Sequence, residues 1–254
     1  MMKSISILSG KGGAGKTTLA SNLSAVFSEK FGSTLLLDAD FGLPNSHILL
    51  NCKPKNTLLD LLKNDRTIDQ LLTPITPTLS MISGFSGSEE LLNLNDDSLK
   101  KIFNSFKNIG DNFDYLILDN AAGADRNTLT LAAAASNVVV ILVNQPTNFL
   151  DAYSTIKAAH AEFGINEFNI LVNMSLNFEE GNETFARFSK IVTRFLEVEL
   201  KFVGTMVKSP KIETSIANRK LFSLEQNSRE TQSLLEIAQT IYDTQPSSGA
   251  GLSF

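Results

Sequence analysis

The sequence predicts an α/β protein: a doubly wound, mostly parallel sheet of seven or eight strands with helices on both faces. Three observations carry this. Short β-branched or leucine-rich runs alternate with helix-like segments of ten or more residues. Several runs are apolar at consecutive rather than alternate positions, as strands covered on both faces require. With 254 residues, 43% hydrophobic and 19% charged, the chain can bury such a core without disulfides or a structural metal.

Taken in order, Ser4–Ser9 (SISILS) is the first strand, and Thr17–Lys30 the first helix. Thr34–Leu37 (TLLL) is the second strand. From Phe41 to Thr78 the pattern is least regular, because Pro44, Pro54, Pro74 and Pro77 interrupt short helical pieces. Leu79–Ser83 (LSMIS) is a strand, followed by a helix over Leu91–Asn108 and a strand over Tyr115–Leu118 (YLIL). Val138–Val143 (VVVILV) precedes a helix over Asn148–Phe163, and Asn169–Asn173 (NILVN) one over Thr184–Glu199. Phe202–Val207 (FVGTMV) is a seventh candidate strand, and Arg229–Tyr242 a packed final helix. Residues 1–242 are expected to form one domain, with the small, polar stretch 243–254 a flexible tail. Handed crossovers place the functional loops at the carboxyl ends of the strands.

Composition removes several function classes. Lys and Arg number 22 against 27 Asp and Glu, a net charge of −5, which argues against whole-surface attraction to nucleic acid or anionic lipid. The one basic cluster is Lys201, Lys208, Lys211, Arg219 and Lys220, which reads equally as a solvated face. A single cysteine, Cys52, excludes an internal disulfide framework and any metal or iron–sulfur site needing two thiolates from one chain. His47 and His160 alone supply a metal cluster poorly. No run of about 18 apolar residues exists to span a membrane, and no signal peptide is expected at Met1-Met2-Lys3, whose apolar stretch is broken by Ser4, Ser6 and Ser9. The expected location is cytoplasmic, with peripheral attachment at the inner membrane face a subsidiary expectation.

The strongest motif is Gly10-Lys11-Gly12-Gly13-Ala14-Gly15-Lys16-Thr17, which satisfies G-x-x-x-x-G-K-[ST] between a strand and a helix. Glycines let successive backbone N–H groups turn inward around a phosphate, and the helix amino end adds partial positive charge. Lys16 would reach the β- and γ-phosphates, and the Thr17 hydroxyl would ligate Mg²⁺. Such a loop needs a carboxylate near the metal at the end of another strand. Asp119 closes the run Tyr115–Leu118, and Asp38 and Asp40 close the second strand. Two carboxylates at i and i+2 can divide the work, one near Mg²⁺ and Lys16 and one near the attacking water.

From about Lys3 to Phe222 the chain resembles the MinD/ParA-type ATPases. Ser9–Thr18 (SGKGGAGKTT) looks like their deviant Walker A, with Lys11 as the extra lysine. Asp38–Asn45 (DADFGLPN) is similar to their switch I, and Asp119 to Gly123 falls where switch II lies. The resemblance implies ATP with Mg²⁺, slow hydrolysis, and an ATP-dependent homodimer closing face to face around two nucleotides. It implies that Lys11 acts in trans on the partner's phosphates, where a fixed cation contributes roughly 10³- to 10⁵-fold in rate. Lys16 and Asp40 complete the implied catalytic set, Asp40 positioning or activating water. Thr17, Asp38 and Asp119 surround the metal, while Gly10, Gly12, Gly13, Ala14, Gly15 and Thr18 cradle the nucleotide and Asn173 sits near adenine.

Within that family the likeness is nearest to the flagellar-number regulators FlhG/FleN. It rests on Leu79–Leu91 (LSMISGFSGSEEL), Gln145–Tyr153 (QPTNFLDAY), and Asn173-Met174 followed by Glu179-Glu180-Gly181. Two stretches depart. Asn120-Ala121-Ala122 lacks the proline common in MinD, and Val207-Lys208-Ser209-Pro210 replaces the more usual proline and aspartate. The expected function is a switch that sets placement or number of a cellular structure such as the flagellum, read or stimulated by an unidentified protein partner. A partition-type ATPase binding DNA nonspecifically and a small-molecule ligase of the same fold stand as alternatives. A carboxyl-terminal membrane helix is a weaker expectation, because no Lys or Arg follows Arg229.

Overall fold

The computed structural model describes residues 2–84, 94–225 and 227–244. Eight strands form one sheet: β1 (Lys3–Leu8), β2 (Thr34–Ala39), β3 (Thr73–Thr76), β4 (Leu79–Ser83), β5 (Tyr115–Asn120), β6 (Asn137–Val143), β7 (Glu167–Ser175) and β8 (Glu199–Val207). Their order is β3-β4-β2-β5-β1-β6-β7-β8. All neighbours pair in parallel except β3 with β4.

The helices are α1 (Lys16–Lys30), α2 (Ser46–Leu49), α3 (Leu58–Leu62), α4 (Asp96–Ile109), α5 (Arg126–Ala134), α6 (Pro146–Phe163), α7 (Phe178–Phe195), α8 (Pro210–Ala217) and α9 (Arg229–Asp243). Consecutive strand residues serve opposite faces, which is why the runs are continuously apolar. Leu36 joins the layer under α1 and α9, while Leu35 and Leu37 pack toward α4. Val139 and Ile141 likewise face the first layer, and Val138, Val140 and Leu142 the layer beneath α5, α6 and α7.

The structure revises four local expectations. Strand β3 escapes the periodicity argument because it is a four-residue edge strand containing Pro74, a residue tolerated where one side of the ladder is free. Helix α7 starts at Phe178 rather than Thr184, since the Asn177 side chain accepts from the Glu180 N–H and caps it six residues earlier. It ends at Phe195, leaving Glu199 to open β8. Helices α5 and α8 are additional; Asp125 caps the first through the Thr128 N–H, and Pro210 opens the second. The expected helix start at Leu91 and most of the serine–glycine segment before it lie outside the described residues.

Helix α9 spends its apolar face on the core. Leu234, Ile237, Ala238 and Ile241 are buried against α1 and β8, and Tyr242 stacks on Phe31 with ring centroids 4.4 Å apart. Among the described residues, no helix is long and apolar enough to cross a membrane.

Candidate nucleotide site

The glycine loop leaves β1 at its carboxyl end and enters α1. The Ser9 hydroxyl donates to the Lys11 carbonyl at 2.9 Å, and Gly13 and Gly15 take φ of +83° and +89°. Both values fall in the region that favours glycine. Gly10 is required for a different reason. A Cβ there would lie 2.2 Å from the carbonyl carbon of Asp151, because the loop rests directly on the first turns of α6. Gly12 and Gly13, by contrast, face open space. No side chain caps α1, so its first N–H groups are free to meet an anion.

Lys16, the first residue of α1, is only 7% exposed. Burial lowers its pKa, and the charges of Asp119 and Asp40 oppose that shift. Lys11 is exposed and projects from the same loop. Thus one lysine of the loop is buried and the other exposed.

Asp38 and Asp119 stand opposite each other in the β2–β5 register, 0% and 1% exposed. Asp38 accepts N–H bonds from Ser46 at 2.9 Å and Asp40 at 3.3 Å. Burial, reinforced by the charge of Asp119, nevertheless pushes its pKa well above the usual carboxylate range. Burial also holds Asp119 above the usual carboxylate range, although Thr17, Lys16 and Ser46 oppose the shift. Asp119 Oδ2 accepts from the Ser46 hydroxyl at 3.0 Å, whereas Oδ1 is buried with no hydrogen-bond partner. Asp40 is half-buried and accepts from the Leu43 N–H at 3.1 Å, which curls the segment after β2 back on itself.

The loop after β5 is fastened to the phosphate loop. Asn120 Nδ2 donates to Ser6 Oγ at 2.8 Å and to the Ile7 carbonyl at 3.1 Å, and the Gly123 N–H donates to the Ser9 carbonyl at 3.0 Å. Sequence reasoning gave Asn120 no role, although an amide at a strand end beside a required carboxylate is a usable signal.

On the other side of α1, Asn173 Nδ2 donates to the Ala14 carbonyl at 2.8 Å and packs on Gly15. It opens a small apolar cavity of about 90 Å³, walled by Thr18, Leu19, Met174, Ile212, Ile216 and Phe222 among others. Ile212 and Ile216 were invisible in the sequence because α8 itself was, and Phe222 lies in the short turn after it. Asn22 secures that wall: its Nδ2 donates to the Thr18 carbonyl at 2.7 Å, and its Oδ1 accepts from the Ser223 N–H at 3.0 Å. A larger open cleft of about 430 Å³ lies far from this chemistry, between α3 and α4 beside Arg66 and Lys101.

The remaining candidates fall elsewhere. His160 Nδ1 lies 2.8 Å from Asn166 Oδ1 on the far part of α6. In the basic cluster, Lys201 pairs with Glu167 at 2.7 Å and Lys208 with Glu213 at 3.6 Å, so part of its charge is already balanced. Phe149 and Phe188 pack edge to face at 5.5 Å between α6 and α7 rather than forming a base-stacking platform.

The residues present suit a magnesium nucleotide. An unpartnered carboxylate oxygen sits beside Thr17 and Lys16, and no group of three or more His, Cys, Asp or Glu competes for metal among the described residues. Mg²⁺ in such sites relies on one or two protein oxygens, nucleotide phosphates and water. A strand, glycine loop and helix with a buried lysine beside the charges of Asp119 and Asp40 define a P-loop nucleotide-binding protein.

Residues 1–242 match the ParA family model described as NUBPL iron-transfer P-loop NTPase. The chain is 31% identical to the antiactivator FleN of Pseudomonas aeruginosa over 216 residues, 85% of this chain and 77% of that one. It is 28% identical to the flagellum site-determining protein YlxH of Helicobacter pylori, covering 93% and 80% of the two chains. In fold it is similar to the MinC:MinD cell division protein complex of Aquifex aeolicus, with TM-score 0.78, 20% identity, and 98% and 100% of the chains covered. The septum site-determining protein MinD complexed with Mg-ADP from Pyrococcus horikoshii gives TM-score 0.78 at 18% identity, covering 96% and 97%. The protein belongs to the MinD/ParA family of deviant Walker A P-loop ATPases.

Proposed function

We propose that this ATPase is an ATP-dependent dimerisation switch with slow hydrolysis that sets the placement or number of the flagellum. The observation that carries the switch is the division of labour between the two loop lysines: Lys16 is buried beside the carboxylates, while Lys11 stands exposed beside the open faces of Gly12 and Gly13. A cation held outward over an open loop serves a second molecule better than its own. The flagellar reading is supported by the relatives named for flagellar control.

In this scheme the α1 N–H groups, Gly10, Gly12, Gly13, Ala14, Gly15 and Thr18 hold the phosphates, with Lys16 neutralising the β- and γ-oxygens. Thr17 and Asp119 would hold Mg²⁺, with Asp38 in its surroundings; the ion supplies charge neutralisation to the phosphoryl oxygens. Asp40 orients water and takes its proton as the water oxygen bonds the γ-phosphorus and the bond to the β-phosphate oxygen breaks, giving ADP and phosphate. Lys11 of each subunit stabilises the charge on the other's nucleotide. Asn173 and the wall from Ile212 to Phe222 receive the adenine.

Residues 1–242 would act as one ATPase unit. The expected setting is cytoplasmic, with a protein partner reading the dimer; contact with the membrane would need a surface other than the buried face of α9. The single cysteine does not supply the thiolates that iron–sulfur transfer needs, despite the family description. The partial pairing of the basic cluster gives the DNA reading little support. Flagella counted in a strain lacking the protein test the cellular role. Altered number or position supports it, and wild-type flagellation contradicts it while leaving the ATPase reading intact.

A further inference from the structure

Ser46 is fully buried at the start of α2, eight residues beyond Asp38, and it touches both strand-end carboxylates at once. Its backbone N–H donates to Asp38 Oδ2 at 2.9 Å, and its hydroxyl donates to Asp119 Oδ2 at 3.0 Å. Those carboxylates belong to neighbouring strands and, when both are charged, repel each other. A residue that delivers one donor to each lowers the cost of keeping them together, and it also ties the chain beyond β2 to the carboxylate of β5. The hydroxyl bond fixes the rotation of the Asp119 carboxylate and leaves Oδ1 as its unpartnered oxygen.

The segment that Ser46 closes is short and internally bonded. Asp38 accepts from Asp40 N–H, Asp40 from Leu43 N–H, and the Asn45 amide donates to the Leu43 carbonyl at 2.7 Å. Beyond it, Leu49 and Leu50 are buried. The segment therefore has a firm end at β2, a firm end at α2, and only one side-chain hydrogen bond reaching β5, which is the Ser46 hydroxyl.

We propose that Ser46 is a positioning residue that latches residues 38–45 to the β5 carboxylate, so that what engages Asp119 also sets the conformation carrying Asp40. The proposal rests on the nucleotide reading above. It assigns to a serine outside every motif the task of joining the metal side of the site to the side that handles water.

Hydrogen–deuterium exchange on the full chain tests it, following peptides over residues 40–50 without nucleotide and with Mg-ADP. A fluorescent ADP titration with and without Mg²⁺ runs beside it. The variants are Ser46→Ala, which loses only the hydroxyl, and Ser46→Gly, which loses the whole side chain; both retain the backbone N–H. In wild type, Mg-ADP should slow exchange in this segment about tenfold. Both variants should lose that protection, with metal-free ADP affinity within about twofold of wild type because the phosphate loop is untouched. Protection that survives in the variants, or is absent from wild type, overturns the latch. So does a metal-free affinity that falls in step with the metal-loaded one, or unfolding of both variants seen as faster exchange in β1 and β6. Wild-type protein that binds no ADP under either condition would overturn the nucleotide reading itself, and the latch with it.

Discussion

The two halves of the nucleotide edge are built on opposite principles. The half on β2, β5 and β1 is polar and buried: Lys16, Asp38, Asp119 and Ser46 sit within the fold, Ser46 donates to both carboxylates, and Asp119 Oδ1 is left without a partner. The half between β7, α1 and α8 is apolar, walled by Leu19, Met174, Ile212, Ile216 and Phe222, with Asn173 as its main polar contact to the loop. Charges in a low-dielectric setting must be the right type at the right place, because a misplaced one is costly. An apolar wall needs only the right volume. The first half should therefore govern phosphate binding and turnover, and the second half affinity for the base.

Four substitutions can break or sharpen that contrast. Lys16→Ala should have the largest effect, lowering phosphate release by about 10³-fold or more and abolishing tight triphosphate binding. Calorimetric titration with Mg-ATP checks the binding arm; normal affinity would place the phosphates elsewhere. Asp40→Ala should reduce single-turnover hydrolysis by about 10²- to 10⁴-fold with ATP still bound, and loss of binding equal to loss of rate would remove its assignment to water. Lys11→Ala should keep ADP affinity within about threefold while hydrolysis falls about 10²-fold or more. Mixing it with wild-type subunits shows whether the lysine acts across subunits. Smallest is Phe222→Ala, expected to raise KM about tenfold with kcat nearly unchanged, because an apolar contact to the base is made equally in ground and transition states. An equal fall in kcat would mean that the apolar half shapes the chemistry as well.

Gly10 links the contrast to stability. A methyl group there would meet the α6 backbone at 2.2 Å, with no flexible side chain to yield. Gly10→Ala should cost about 1–3 kcal/mol, and thermal unfolding should fall by several degrees. An unchanged melting temperature would show that α6 moves aside easily.

The same contrast explains what was legible in the amino-acid sequence. The glycine loop, Lys16, Asp38, Asp40 and Asp119 could be found because phosphate and metal chemistry dictates residue type and spacing. The central strands were legible because burial on both faces leaves continuous apolar runs, as at Val138–Val143. The wall at Ile212, Ile216 and Phe222 was not legible, since isolated apolar residues beside a short helix carry no pattern of their own. Ser46 was missed for another reason: a serine has no signature until the chain folds it between two carboxylates that lie far apart in sequence. Edge strand β3 was hidden by its proline, and the early start of α7 by a cap that only geometry reveals.

The central claim, that a triphosphate gripped by the loop draws two copies together, is tested most directly by light scattering on Asp40→Ala, which should hold ATP without consuming it. With Mg-ATP the mass should double from the 27.7 kDa of one chain, and with Mg-ADP it should stay at one chain. The same mass with both nucleotides, under conditions where calorimetry shows both to be bound, would contradict the account.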